Sequence, residues 1–159
     1  MLEVREPLGN VFDGGRYAKA MDEAHEVLRL SRQELEKRII RRSTDGGTDV
    51  GISLAGGARL RHGDVLHGDG PVIIIEQKPE KVMVVTPGDT DFGAAVLLGH
   101  VIGNRHRPVS VKGGDVCFPI QADSEAEVFG RLLGGVGSID VKIEERIFVP
   151  DGSADVHGH

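Results

Sequence analysis

Histidines are the main chemical resource of this chain, because imidazole binds transition metals and exchanges protons near neutral pH. The sequence contains seven of them. His106 lies in the segment Gly103-Asn104-Arg105-His106-Arg107-Pro108, directly after a predicted apolar helix. The carbonyl groups at a helix C-terminus favour a nearby cation. From its position alone, His106 is either a metal ligand or a solvated loop histidine.

One imidazole does not define a metal site, but two copies brought together across a dimer axis can begin one. Imidazole nitrogen suits Ni(II), Cu(II) and Zn(II), so the ligand type restricts the metal without selecting it. Only the neutral imidazole binds a metal, and the usual histidine pKa is ~6.5. We therefore expect metal binding at such a site to weaken below about pH 6.

The remaining histidines differ in their expected surroundings. His157 and His159 end the chain in the polar stretch 151–159, which has little to bury, so we expect a flexible tail there. These two imidazoles either reach one metal ion or remain unliganded. His100 lies inside the apolar helix and is expected to be packed and hydrogen-bonded. The other three are interpreted as surface residues, namely His25, His62 and His67.

Enzyme signatures are absent from the sequence. It contains no GxxxxGK[ST] phosphate loop, no GxSxG elbow and no HExxH motif. Cys117, the single cysteine, lies mid-strand between Val116 and Phe118, where a buried structural thiol is favoured over a nucleophile. One cysteine permits neither an intrachain disulfide nor a CxxC motif, which suits a reducing compartment. We expect a cytoplasmic protein that is not an enzyme.

The charge balance excludes two classes of partner. The 159 residues include 19 basic and 25 acidic side chains, for a net charge of −6, so there is no basic field for nucleic acid or an anionic membrane. The segment 1–10 is too charged for a signal peptide, and no run approaches the ~20 apolar residues of a membrane span. We expect neither a nucleic-acid partner nor a membrane partner.

The first half of the chain has the pattern of a small all-β domain. Short β-prone runs between His25 and Ile75 are separated by turn residues such as Asp45-Gly46-Gly47. The run 72–75 is continuously apolar and predicts a strand buried on both faces. Ser31 can cap a single helical turn. These features predict a β-sandwich or barrel over residues 1–76.

The second half predicts the order βαββαβ over residues 77–150, which is the ferredoxin-like pattern. Thr90 or Asp91 can cap the first helix, and Gly103 or Asn104 can end it. Either Asp123 or Ser124 can cap the second helix, with Val128, Leu132 and Leu133 facing inward. The predicted segments are a strand at 82–86, a helix from the first cap to about Ile102, strands at 109–111 and 116–120, a second helix and a closing strand at 139–149. The fold class is therefore α+β.

The first helix of this second domain is apolar around most of its circumference, with Val96, Leu97, Leu98, Val101 and Ile102 among its residues. Such a helix needs burial on two sides. One side can face the domain's own sheet, and the other can face a second copy of the chain or the other domain. We favour a symmetric homodimer, in which a residue near the axis occurs twice at close range.

Two motifs resemble those of the UreE-type urease accessory proteins, a family of nickel metallochaperones. The segment Leu60-Arg61-His62-Gly63-Asp64-Val65-Leu66 resembles the family's L-R-x-G-D-V-L, and Gly103-Asn104-Arg105-His106 resembles its G-N-R-H. The two motifs occur in the family's order. The inferred architecture extends the resemblance over most of the chain.

The resemblance implies a peptide-binding β domain over 1–76 and a metal-binding ferredoxin-like domain over 77–150. It further implies a homodimer that carries Ni(II) as cargo between two copies of His106, with Zn(II) or Cu(II) as alternative ions. Delivery to apo-urease with a GTP-hydrolysing accessory protein is also implied. Many relatives end in a long histidine-rich tract, whereas this tail has only His157 and His159. We therefore expect no bulk nickel storage.

Three hypotheses follow: a nickel chaperone, a metal-independent peptide-binding adaptor, and an enzyme built on Cys117 or His106. Metal stoichiometry separates the first two, because a chaperone should bind about one ion per dimer and an adaptor none. The enzyme hypothesis requires turnover that depends on a side chain other than the proposed metal ligand. The resemblance favours the nickel chaperone.

Overall fold

The computed structural model describes residues 1–89 and 91–151 of the chain. The chain divides into two compact units, one from Met1 to Lys78 and one that begins at Pro79. The first unit is built mainly of strands, and the second combines strands with two longer helices. The α+β fold class predicted from the sequence is confirmed.

Two sheets form the first unit. One has the strand order β1-β5-β4 and the other has the order β2-β6-β7-β3, with parallel pairing between β1 and β5 and between β3 and β7. The strands are β1 (Leu2–Val4), β2 (Gly9–Asn10), β3 (His25–Leu30), β4 (Ile39–Ser43), β5 (Asp49–Ser53), β6 (Asp64–His67) and β7 (Val72–Gln77). Strands β1 and β2 were not predicted, because segments of three and two residues are too short to show a periodic pattern.

The two sheets of the first unit share one hydrophobic core, as a β-sandwich requires. Ile40 and Ile52 come from one sheet, and Leu28, Leu66 and Ile75 come from the other. The apolar run of β7 is buried at three successive positions, 73–75. The strand buried on both faces is confirmed, and the two packed sheets correspond to the sandwich, one of the two predicted alternatives, a sandwich or a barrel.

The single helical turn α1 (Arg32–Leu35) is capped by Ser31 as predicted, and Glu34 completes a capping box. Ser31 Oγ accepts a hydrogen bond from the Glu34 backbone N–H at 3.1 Å, and a Glu34 carboxylate oxygen accepts one from the Ser31 backbone N–H at 2.9 Å. These bonds satisfy backbone donors that a short helix leaves open. The bond from Ser31 and a second one from Arg42 lower the pKa of Glu34.

The second unit has a four-stranded antiparallel sheet in the order β11-β8-β10-β9. Its elements are β8 (Glu80–Pro87), α2 (Phe92–Asn104), β9 (Ser110–Lys112), β10 (Asp115–Pro119), α3 (Asp123–Leu133) and β11 (Ile139–Arg146). Gly113 and Gly114 form the β9–β10 turn with φ values of 58° and 86°, which suit glycine. The βαββαβ order agrees with the sequence prediction.

The two faces of this sheet are covered differently. On one face, Met83 and Phe118 pack with Leu98 of α2 and with Phe129 and Leu133 of α3. On the other face, Val82, Val84 and Cys117 are covered by Phe148, which follows β11. Cys117 is 4% exposed, and burial raises the pKa of its thiol. The prediction of a buried structural cysteine is confirmed.

The start of α2 agrees with one of the two predicted caps, whereas its end differs from the sequence prediction. Asp91 caps α2 by accepting a hydrogen bond from the Ala94 N–H at 2.8 Å, whereas Thr90 lies outside the described residues. The helix continues through Asn104, so neither Gly103 nor Asn104 ends it in a left-handed conformation. The backbone hydrogen bonds of the last turn extend to residues 105 and 106, so the chain reverses direction later than predicted.

The start and the inward face of α3 also differ. Ala122 is the N-cap and makes no side-chain cap bond, so the predicted caps Asp123 and Ser124 lie inside the helix. Phe129 and Leu133 occupy the buried face, while Leu132 is 39% exposed instead of facing inward. The Phe129 ring takes the inward position by packing on Phe118, with ring centroids 4.7 Å apart.

Candidate metal-binding loop

His106 lies two residues beyond the end of α2 and is exposed. Its φ is 55°, and among the residues that the structure describes it is the one non-glycine residue with positive φ. Backbone hydrogen bonds shape the turn, from Arg105 N–H to the Ile102 carbonyl at 3.2 Å and from His106 N–H to the Gly103 carbonyl at 2.9 Å. The loop therefore presents its imidazole to solvent from a strained backbone.

The side chain of Arg107, for which no role was predicted, connects this loop to the neighbouring helix α3. The Arg107 guanidinium forms an ion pair with a carboxylate oxygen of Glu125, in the first turn of α3. The other Glu125 oxygen accepts a hydrogen bond from the Gln121 N–H. Asn104 and Arg105 make no side-chain hydrogen bond in the described part of the chain. The side-chain contact that restrains the loop therefore comes from Arg107 and not from Asn104 or Arg105.

The α2 helix has one packed side and one uncovered side within the single chain. Leu98 and Ile102 are buried against the sheet, whereas Phe92 is 85% exposed and Val96 and Leu97 are each 54% exposed. An exposed apolar surface of this kind is typical of an interaction site. His100 is also exposed, so the prediction that it is packed is wrong for the single chain.

The C-terminal segment runs toward the same end of the sheet as the His106 loop. After edge strand β11, Phe148 covers residues of β8 and β10, and Asp151 then lies beside β9 at the opposite edge. The Asp151 N–H donates to the Val109 carbonyl at 2.8 Å, and its carboxylate accepts from the Val111 N–H at 2.7 Å. Asp151 was expected to begin a flexible tail, but these bonds anchor it to the sheet.

The two histidines predicted in the tail, His157 and His159, lie outside the described residues. Within residues 1–89 and 91–151, no group of three or more histidine, cysteine, aspartate or glutamate side chains is arranged to hold a metal ion. The described part of one chain therefore offers His106 without a surrounding set of ligands.

The three histidines of the first unit, His25, His62 and His67, each have a ring nitrogen in a polar contact. His62 is half-buried, and its Nδ1 accepts a hydrogen bond from the Gln77 N–H at 3.1 Å, so its interpretation as a surface residue is wrong. Its ring lies 5.2 Å from the Phe12 ring, centroid to centroid. The Nδ1 atoms of His25 and His67 lie 2.8 Å and 3.3 Å from backbone carbonyl oxygens. These contacts favour structural roles.

The Leu60–Leu66 motif is a buried turn in the structure. Asp64 is 2% exposed, and its carboxylate accepts hydrogen bonds from Asn10 Nδ2 at 2.9 Å and from the Arg61 N–H at 2.6 Å. Gly63 has φ 85°, and an added Cβ would lie 2.6 Å from the Phe12 ring. Burial raises the pKa of Asp64, against the opposing effect of its two hydrogen bonds. The motif therefore stabilises the fold.

The first unit also contains an open cavity of about 760 Å³. Tyr17, Leu66 and Val72 contribute apolar surface to it, and Arg5 and Glu23 are among its charged lining residues. Its mixed lining can accept both apolar and charged groups.

No helix in the described residues is long and apolar enough to cross a membrane. The longest, α2, has 13 residues, whereas a membrane-spanning helix needs ~20.

Comparison with known proteins identifies the family. The family described as "UreE urease accessory protein, N-terminal domain" matches residues 4–76. The Urease accessory protein UreE of Natronomonas pharaonis is 35% identical over 149 residues, covering 87% of this chain and 69% of that protein. The protein of the same name from Lysinibacillus sphaericus is 33% identical, covering 84% of this chain and 86% of the relative.

A third relative agrees with these two. The Urease accessory protein UreE of Actinomyces naeslundii is 33% identical over 140 residues, covering 79% of this chain and 83% of that protein. These relatives are accessory proteins and not enzymes, in agreement with the prediction from the sequence. The resemblance inferred from two short motifs is confirmed over most of the chain, and this protein belongs to the UreE family of urease accessory proteins.

Proposed function

We propose that this protein is a nickel-binding metallochaperone that acts in the maturation of urease. In this proposal a homodimer carries Ni(II) between two copies of His106. The observation that carries it is the placement of an exposed histidine just beyond the end of a helix whose outer side is apolar and uncovered. Family membership supports the role in urease maturation, because the relatives are named as urease accessory proteins.

The homodimer is proposed to form along the exposed side of α2. Phe92, Val96 and Leu97 would be removed from water by the same side of a second copy. In a two-fold arrangement the C-terminal ends of the two helices, and with them the two imidazoles, can meet near the axis. Each imidazole would bind through its neutral form, and Zn(II) or Cu(II) would compete with Ni(II) for the same nitrogen ligands.

The tail histidines His157 and His159 are proposed as further ligands. The anchoring of Asp151 beside Val109 supports this assignment, because Val109 is only three residues from His106. His157 is six residues beyond Asp151, and six extended residues span up to ~20 Å. The tail can therefore reach the His106 loop without any rearrangement of the sheet.

The cargo is proposed to pass to apo-urease in a complex with a GTP-hydrolysing accessory protein, in the cytoplasm. A reducing compartment is supported by the single cysteine, which is buried and not in a disulfide. The predicted boundaries of 1–76 for a peptide-binding domain and 77–150 for a metal-binding domain are retained as part of this proposal.

A second candidate function is a metal-independent adaptor that holds a peptide in the first unit. The open cavity lined by Tyr17, Leu66 and Val72 favours it, because apolar surface flanked by charged groups suits an extended segment of another protein. The two candidates differ in one measurable property, since the adaptor needs no metal ion.

Parallel calorimetric titrations with Ni(II) test the proposal, with the dimer mass measured alongside. The wild-type dimer should bind about one tightly held ion, and His106→Ala should lose that site. His100→Ala is the matched control, because His100 is exposed on the same helix. If His106→Ala retains the wild-type nickel affinity while His100→Ala loses it, the proposal places the metal site at the wrong histidine. A wild-type dimer that binds no nickel would favour the adaptor.

A further inference from the structure

The left-handed conformation of His106 needs a structural explanation, because the Cβ atom of a non-glycine residue at φ 55° imposes a steric cost. Two backbone hydrogen bonds, from the Arg105 N–H to the Ile102 carbonyl and from the His106 N–H to the Gly103 carbonyl, hold the loop to the preceding helix. The side chains of Asn104 and Arg105 add no hydrogen bond in the described part of the chain. The constraint on the other side of His106 must come from the residues that follow it.

Arg107 supplies that constraint through its ion pair with Glu125. The two side chains are only 21% and 25% exposed, so solvent screens the pair less than a surface pair. Glu125 is itself held in place, because its second oxygen accepts the Gln121 N–H. Glu125 belongs to α3, whose Phe129 and Leu133 are buried in the core. The loop is thus connected to a rigid element of the unit.

Pro108 strengthens the constraint on the backbone. A residue before proline is restricted to extended conformations, so the main chain of Arg107 has little freedom. With both the backbone and the side chain of Arg107 restrained, the direction in which the chain leaves His106 is defined.

The energetics of the pair argue against a purely stabilising role. The Arg107 Nε atom is buried without a hydrogen-bond partner in the described structure. An unsatisfied buried donor lowers stability, and an apolar side chain in place of a partly buried ion pair often gives an equally stable protein. Stability alone would therefore not favour arginine at this position, whereas a fixed geometry for the adjoining residue does.

We propose that Arg107 is a positioning residue, whose ion pair with Glu125 holds His106 in the left-handed conformation. Where metal binding is concerned, this inference rests on the proposed function. A fixed loop would present the two imidazoles of a dimer at one defined separation, so that metal binding does not have to order them first.

The test compares four variants of the full chain. Arg107→Met removes the charge and keeps an extended side chain, Glu125→Gln removes the partner charge with almost no change in shape, and Arg107→Lys keeps the charge. Asp123→Asn is the matched control, because it breaks the exposed Lys81–Asp123 ion pair of 3.0 Å in the same first turn of α3.

Three quantities are measured for each variant: the three-bond HN–Hα coupling of His106 in the metal-free protein, which reports its φ; the Ni(II) dissociation constant; and the thermal unfolding midpoint. Arg107→Met and Glu125→Gln should change the coupling and weaken Ni(II) binding by about 10-fold or more, as expected when the support of a metal ligand is removed. Arg107→Lys should give intermediate values, and Asp123→Asn should leave coupling and affinity unchanged.

The outcomes separate this inference from the proposed function. A wild-type coupling in both Arg107→Met and Glu125→Gln would overturn the inference, and, where the wild type binds nickel through His106, so would a changed coupling with wild-type affinity. A shift in the unfolding midpoint alone would reduce the pair to a structural role and also overturn it. If the wild type and His106→Ala bind nickel equally, the proposed function fails, and the coupling alone decides whether Arg107 fixes the conformation of His106.

Discussion

The two motifs that connect this chain to its family have opposite physical surroundings. In the turn at Leu60–Leu66, Asp64 is buried and its two carboxylate oxygens each accept a hydrogen bond. In the loop at Gly103–Pro108, His106 is exposed and its backbone is strained. The first motif therefore stabilises its unit, whereas the second presents an exposed imidazole to solvent.

The histidines of the two motifs, His62 and His106, lie in different surroundings. His62 uses Nδ1 to accept the Gln77 N–H and packs against Phe12, so its ring serves the fold. The backbone of the His106 loop is restrained by hydrogen bonds and by the neighbouring ion pair, while its imidazole stays exposed. The same residue type thus has two different environments in the two motifs, half-buried at His62 and exposed at His106.

The largest effect is expected from Asp64→Ala, which would confirm that the first motif is structural. Removal of the carboxylate leaves the Arg61 N–H and one N–H of the Asn10 amide without an acceptor, while Asn10 Nδ2 keeps its bond to the His62 carbonyl, so the free energy of unfolding should fall by about 3 kcal/mol. Chemical denaturation measures this change. The control Asp13→Ala removes an exposed ion pair to Arg61 and should cost less than about 1 kcal/mol.

The same variant has a predicted pH dependence and a predicted lack of effect on metal binding. Because the pKa of Asp64 is raised in the folded protein, its protonation favours folding, and that contribution is lost as pH rises through the folded pKa. The stability difference between wild type and Asp64→Ala should therefore grow as the solution is acidified below neutral pH. Nickel affinity should not change in Asp64→Ala. A nickel affinity that falls together with stability would contradict the separation of the two motifs.

Leu97→Glu tests whether the second motif needs a second chain. A carboxylate on the exposed side of α2 should weaken dimerisation by about 100-fold, because its charge would be desolvated in an apolar contact. Sedimentation at low micromolar concentration measures the effect, and nickel affinity should fall with it. Leu97 is preferred to Val101, which packs partly against the core of its own unit.

Ile39→Glu is the control for this variant, because Ile39 is 77% exposed in the first unit. It should leave the dimer unchanged. If Leu97→Glu also remains a dimer, the interface lies elsewhere and the pairing of the two His106 loops loses its structural basis.

A smaller effect is expected from the C-terminal anchor. Truncation after Asp151 should weaken nickel binding or reduce the number of bound ions, because His157 and His159 are removed. Asp151→Ala in the full chain should weaken binding by only about 3-fold to 10-fold, since release of the anchor dilutes the tail ligands near the loop without removing them. Calorimetric titration measures both variants. Titrations identical to wild type would exclude the tail from the site.

The smallest effect concerns the strain at His106. Glycine adopts positive φ without the steric cost that a Cβ atom imposes, so His106→Gly should be more stable than His106→Ala by about 1 kcal/mol. The same pair of substitutions at His100, inside α2, should give the opposite sign, because glycine is the poorer helix former by about 1 kcal/mol. Thermal unfolding of the four variants measures both differences, and equal signs at the two positions would show that the loop is not strained.

Features that depend on neighbouring residues could be predicted from the sequence alone. The Ser31 cap of a single helical turn and the buried run of β7 follow from chemistry within a few residues, and both are present. The βαββαβ order and the candidate His106 were also identified in this way. Hydrophobic spacing and turn residues determine such elements locally, so no distant contact is needed to infer them.

Contacts between residues that are distant in the sequence could be identified only from the tertiary structure. The Arg107–Glu125 ion pair, the Asp151 contacts with Val109 and Val111, and the Gln77–His62 hydrogen bond each connect residues from different elements. A side chain's partners across the fold depend on how the elements pack, and no local pattern records that packing. For the same reason the sequence identified the histidine at the loop, while only the fold showed that its conformation is left-handed and which residues restrain it.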